Sequence, residues 1–151
     1  MRAYPSADRE EVERVAAALA ARLASAQHLC FAFGHGSFFQ GLPHHDVDVA
    51  FRLEAGAEPD LFALDALATR CEAAVGRPVD LRALGTPDAP FTAAATAGRL
   101  LFARDPDLAL GFAELAQRMA WDFRPLRERA IRDLLRPSGA PQPRSRPEAG
   151  E

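Results

Sequence analysis

The chain has 151 residues, of which 48% are apolar and 26% charged, with a net charge of -3 and an isoelectric point of about 5.8. That is the size and balance of one ordinary globular domain, and it excludes a bulk nucleic-acid binder, which shows as a strongly basic domain or patch. All 18 basic residues are arginines, so a cationic contact to phosphate must come from arginine, a backbone N–H or a metal, and lysine Schiff-base chemistry is excluded.

The opening stretch, MRAYPSADREEVER, lacks the apolar core of a signal peptide, and no apolar run reaches the ~20 residues of a bilayer span. Asp8 and Glu11 fit a capping box, and Val12, Val15, Leu19 and Leu23 recur at helical spacing, which predicts a helix over residues 8–26. Residues 29–33 form a short apolar run ending at glycine, the pattern of a buried strand. Residues 46–53 alternate, with Val47, Val49, Phe51 and Leu53 facing one way and Asp46, Asp48 and Arg52 the other, as a half-buried strand requires. A second amphipathic helix is expected over 59–75, with Leu61, Leu64, Leu67 and Cys71 on its apolar stripe, Pro59 in its first turn and Gly76 at its stop. Residues 78–84 read as a strand, 91–97 as a short helix closed by Gly98, and 100–102 as a short strand or buried turn.

Asp105 and Pro106 cap and start a third main helix with an apolar stripe of Leu110, Leu115, Met119 and Phe123, which Pro125 should kink or restart. Residues 137–151 are proline-rich and polar, with almost nothing to bury, so disorder is expected there and the folded domain is assigned to 1–136. The order helix, strand, strand, helix, strand, helix implies a mixed α/β domain. Cys30 and Cys71 make no disulfide framework, and two reduced thiols suit the cytoplasm.

The chemistry concentrates in residues 33–50, FGHGSFFQGLPHHDVDVA. Asp46 and Asp48, one residue apart on a strand, point the same way with Cβ atoms roughly 6–7 Å apart. Two carboxylates that close repel and need a cation, and a hard, oxygen-ligated ion such as Mg²⁺ fits them. Aspartate is depleted in strands, which weakens the alternative of a merely solvated face. Gly34, Gly36 and Ser37 follow a strand directly. Glycine lets backbone approach a phosphate, and the hydroxyl adds a donor. Asp80, on the polar side of VDLRA, is a third carboxylate, able to bind metal or to accept a proton if the fold brings it to the other two. Taken alone it reads as an exposed strand aspartate.

A strand, Gly-Ser and Asp-x-Asp together resemble the nucleotidyltransferase superfamily of DNA polymerase β. Within it the chain is most similar to the minimal nucleotidyltransferases, the MntA-type antitoxins paired with HEPN-domain toxins. The likeness covers residues 9–135 and includes VDLRAL and GRLLFARD. It implies a polymerase β-like fold of α+β type, a small mixed sheet flanked by helices. It implies that Gly36 and Ser37 hold nucleotide phosphates and that Asp46, Asp48 and Asp80 are the metal-ligating and catalytic carboxylates. The implied reaction is Mg²⁺-dependent transfer of AMP from ATP to a tyrosine hydroxyl of the toxin, which silences the toxin's RNase activity. ATP and a HEPN toxin are then the partners, with neither membrane nor direct nucleic-acid binding expected, and homo- or hetero-oligomers compatible.

The chain departs from the family in two ways. Phe38, Phe39 and Gln40 stand where an arginine usually follows Gly-Ser, and the spacing to the acidic pair is about two residues short. Arg99 or Arg52 is the expected substitute. The altered turn also motivates a second reading, an antitoxin that masks its toxin without catalysis. A small-molecule nucleotidyltransferase ranks third, because no second domain is evident to hold such a substrate.

His35, His44 and His45 show no zinc spacing and read as solvent-facing loop histidines. At least one of Phe38 and Phe39 is expected in the core, and adenine stacking is the alternative for the other. Arg118, Arg124, Arg127, Arg129, Arg132 and Arg136 alternate with Asp122, Glu128 and Asp133. A solvated helix face is the default there, and a partner interface anchored by Trp121 and Phe123 is the sharper reading.

Overall fold

The structure is a computed structural model and describes residues 2–135. The elements are α1 (Arg9–Ala24), β1 (Leu29–His35), α2 (Gly36–Phe39), β2 (Val47–Leu53), α3 (Leu61–Val75), β3 (Val79–Ala83), α4 (Pro90–Thr96), β4 (Arg99–Ala103) and α5 (Pro106–Leu134). The chain divides into two units, Met1–Trp121 and Asp122–Glu151. Every strand and α1 to α4 belong to the first. The expected tail, 137–151, lies outside the described residues.

The helix starts follow local chemistry. Asp8 accepts from the Glu11 N–H, Asp60 from those of Phe62 and Ala63, and Asp105 from those of Asp107 and Leu108. Each satisfies N–H groups that a helix start otherwise leaves unpaired. Pro59 therefore stands outside α3, one residue before its cap. At the other end Gly76 takes the left-handed conformation (φ 71°) that closes α3. Glu11 does not complete the expected capping box. Its carboxylate is held by Arg14 at 2.7 Å and Arg77 at 2.8 Å, and those hydrogen bonds, Arg14 first, pull its pKa down to about 2.

The four strands form a mixed sheet in the order β3-β2-β1-β4, with β1 antiparallel to β2 and to β4, and β2 parallel to β3. Alternation along each strand sends two sets of side chains to two cores. Ala32, Val47, Val49 and Phe51 join Val15, Leu19 and Leu23 of α1 and Leu67, Cys71 and Val75 of α3. Phe31, Phe33 and Ala50 join Ala95 of α4 and Ala109 and Ala113 of α5 on the opposite face. That second face is the one carrying Asp48, by the same period of two.

Several expectations need correction. Two residues of the expected α5 stripe are not buried: Leu110 is 55% and Leu115 42% exposed, whereas Ala109, Ala113 and Ala116 are buried and Met119 is half-buried; the Phe123 side chain lies outside those described. The alanines recur at i, i+4 and i+7, a true helical face, and Ala109 and Ala113 join the cluster of Phe31 and Phe33. Leu61, expected on the apolar stripe of α3, is exposed with Phe62 in the first turn of the helix, and burial begins only further along at Leu64 and Leu67. Residues 99–103 are a strand paired with β1, and α5 runs through Pro125 without restarting. His44 is buried, bridged through its backbone to Tyr4 and packed against the Phe38 ring, so it is not a solvent-facing loop residue.

These assignments predict that Leu19→Ala lowers the unfolding free energy by about 2–5 kcal/mol, and Leu110→Ser by less than about 0.5 kcal/mol. Urea denaturation of the two variants checks this. Comparable losses would place Leu110 in the core instead.

Candidate active site

The parallel pairing of β2 with β3 sets Asp48 beside Asp80, and the antiparallel pairing of β1 with β2 sets His35 beside Asp48. Three consecutive strands therefore present His35, Asp48 and Asp80 in one row across the sheet. Asp46 sits in the bend just before β2, which starts one residue later than expected. One carboxylate oxygen from each of Asp46, Asp48 and Asp80 lies within 4.8 Å of the other two. The fold thus brings together all three of the aspartates expected to meet.

Gly36 closes against them. Its φ is 78°, and a Cβ added there would overlap Asp48 Oδ2. Both conditions favour glycine, the first because L side chains rarely adopt that region and the second because a side chain would displace the Asp48 carboxylate. The strand continues to His35, the turn is Gly36, and α2 begins at once, with Ser37 exposed on it. Phe38 is fully buried and Phe39 half-buried, their rings edge to face at 5.0 Å, so core packing claims this segment. Nearby, Gly98 approaches the Gly34 carbonyl so closely that a Cβ would collide with it. His35, Gly36, Phe39, Gln40, Gly98 and Arg99 line a cavity of about 330 Å³, within the size range of small-ligand sites.

The electrostatics follow from the crowding. Asp48 is pushed up to about 6, first by desolvation and then by the negative charges of Asp46 and Asp80, with Arg82 opposing. His35 is held below its ordinary value by burial first and by Arg82 second. A carboxylate that resists ionisation beside two others is what a divalent cation relieves, and three hard oxygen donors suit Mg²⁺. The donor set therefore fits that ion.

His35 belongs to this row and not to a solvent-facing loop. Its alternation with Phe31 and Phe33 along β1 was the available signal. Arg99 lines the cavity but is held by Glu13 at 2.6 and 2.7 Å. Arg52 donates to the Gly85 carbonyl and lies over the Phe112 ring. Sequence reasoning passed over Arg82, although its spacing of two from Asp80 puts it on the same face.

No protein-family model and no curated protein sequence matches the chain. Solved structures do match in shape. A chain from a toxin–antitoxin complex with AMP-PNP superposes with a TM-score of 0.62 at 20% identity, covering 80% of this chain and 98% of its own. One from an MntA–HepT toxin–antitoxin complex gives 0.56 at 16%, covering 85% and 100%. One from a complex of a tri-AMPylated Shewanella oneidensis HEPN toxin with an MNT antitoxin gives 0.55 at 19%, covering 85% and 98%. The chain has the minimal-nucleotidyltransferase fold. At such identities the likeness is one of architecture. It matches the small mixed sheet flanked by helices that the Gly-Ser and Asp-x-Asp pattern implied.

A minimal-nucleotidyltransferase fold with this acid cluster should respond to pH and metal together. The raised pKa means that folded Asp48 binds its proton more tightly than the unfolded chain does. The destabilisation from ionised Asp48 is thus fully present above about pH 6 and relieved as pH falls toward the ordinary carboxylate range. In metal-free buffer, Asp48→Asn is expected to raise the melting temperature at pH 7 and to raise it less at pH 5. Added Mg²⁺ should stabilise the unsubstituted protein more at pH 7 than at pH 5. Thermal denaturation at both pH values checks each, and a metal effect that does not fall with pH would contradict the assignment.

Proposed function

We propose that this chain is a Mg²⁺-dependent nucleotidyltransferase that moves AMP from ATP to a hydroxyl of a partner protein, a tyrosine of a HEPN-domain toxin, and so acts as that toxin's antitoxin. The observation that carries the reading is the meeting of Asp46, Asp48 and Asp80 beside Gly36. Proteins of this fold in complex with AMP-PNP and with a tri-AMPylated HEPN toxin support the choice of nucleotide and partner.

Asp46 and Asp48 would hold the Mg²⁺, with Asp80 as the third carboxylate. The ion, when bound, neutralises charge on the phosphate oxygens and orients them. The Gly36 N–H and the exposed Ser37 hydroxyl would donate to the phosphates. Asp80, the most exposed of the three acids, would accept the proton of the incoming hydroxyl. That oxygen attacks the α-phosphorus in line, the bond to the β-phosphate oxygen breaks, and pyrophosphate leaves. Leu110, Leu115 and Trp121 expose apolar surface of the kind a protein partner covers.

Incubation with α-labelled ATP, Mg²⁺ and a HEPN toxin should label the toxin. Asp48→Asn should reduce labelling by at least about a hundredfold while the circular dichroism spectrum stays unchanged. Full labelling by that variant would contradict the site.

The second reading, masking without catalysis, is favoured by one observation: Phe38 and Phe39 pack inward where the family carries an arginine. Calorimetric titration with ATP and Mg²⁺ separates the two, since a masking protein shows no binding at millimolar nucleotide.

A further inference from the structure

We propose that Arg82 is the side chain that grips the nucleotide phosphates in this site, in place of the arginine that the Gly-Ser turn lacks. The inference rests on the nucleotidyltransferase reading above and names a residue for it.

A nucleoside triphosphate carries more negative charge than one divalent ion neutralises, and this chain has only arginine to supply the remainder. The other arginines around the sheet are engaged. Arg99 is held in a two-bond fork by Glu13, and Arg77 by Glu11. Arg104 donates to the Leu29 and Ala26 carbonyls, and Arg52 to that of Gly85. Arg82 makes no ion pair or hydrogen bond among the described residues. It is exposed, and strand alternation puts it on the face of β3 that carries Asp80, two residues away.

Its head group is nevertheless placed. The guanidinium lies 4.2 Å from the centre of the Phe91 ring on α4, and the same ring meets His35 edge to face at 5.4 Å. Phe91 thus joins Arg82 to the residue that flanks Asp48 across the sheet. The contact restricts the side chain while leaving the five N–H donors in the guanidinium plane without a partner among the described residues, a fork that matches phosphate oxygens. The positive charge already reaches the acid cluster, since it opposes the rise at Asp48 and depresses His35. A phosphate bound at those carboxylates through a metal therefore lies within the field of this arginine.

The charge makes a test that separates phosphate binding from support of the fold. Near the carboxylates Arg82 attracts phosphate but repels a bare cation. Arg82→Gln is therefore expected to weaken ATP binding in Mg²⁺ at least about tenfold by calorimetry, the range of a lost charged hydrogen bond. It should leave Mn²⁺ binding, measured without nucleotide by electron paramagnetic resonance, equal or tighter. Arg82→Lys, which keeps the charge and loses the fork, should fall between. Unchanged ATP affinity in Arg82→Gln overturns the inference, and so does a parallel loss of ATP and Mn²⁺ affinity, which marks a structural role. Failure of the unsubstituted protein to bind ATP at millimolar concentration instead removes the nucleotidyltransferase reading and this inference with it.

Discussion

The constraint on which the site depends is electrostatic: three carboxylates are held within one ion's reach of each other. In water two such groups would separate, and in a folded chain their ionised forms coexist only if a cation or strong donors offset the repulsion. Among the described residues no arginine ion pair relieves this at the cluster. Arg82 acts at a distance and Asp48 remains hard to ionise. The sheet enforces the arrangement, because separating Asp48 from Asp80 would break the parallel register of β2 and β3, which is anchored on one face by Val47, Val49 and Val79 in the core.

Two close backbone approaches shape the space beside those acids. Gly36 turns the chain out of β1 with its Cα against the Asp48 carboxylate, and Gly98 brings the end of α4 onto the Gly34 carbonyl. A side chain at either place would fill the position or push the helix away. The result is a hollow lined by His35, Gly36, Gly98 and Arg99, which adjoins the acid cluster through the contact of Gly36 with Asp48. The same tightness explains why Phe38 and Phe39 follow the Gly-Ser turn. They anchor α2 in the core, where a longer charged side chain would have to leave it.

Much of the architecture was legible because it is local. The caps at Asp8 and Asp105, the strands and the stop at Gly76 follow from hydrogen bonding and periodicity over a few residues, whereas the cap at Asp60 was passed over in favour of Pro59. The Asp46–Asp48 pair was legible in the same way. What escaped depended on contacts distant in sequence or on size. The α5 face was misread because leucine outweighs alanine in any hydropathy pattern, while Phe31, Phe33 and Phe112 supply the bulk of the cluster that Ala109 and Ala113 join. His44 looked like a loop residue until its bridge to Tyr4, forty residues earlier in the chain, drew it inside. The meeting of Asp80 with the other acids was a conjecture until the β2–β3 register placed it beside Asp48. Arg82 was visible as a period-two neighbour of Asp80, but only the fold shows that its rivals are occupied.

The central claim is that Asp46, Asp48 and Asp80 together make one divalent-metal site, and anomalous diffraction tests it most directly. Crystals soaked in Mn²⁺ should show one strong anomalous peak within about 2.0–2.4 Å of oxygens from at least two of these aspartates, lost in Asp48→Asn crystals. A peak elsewhere, or one that survives the substitution at full strength, would contradict the account.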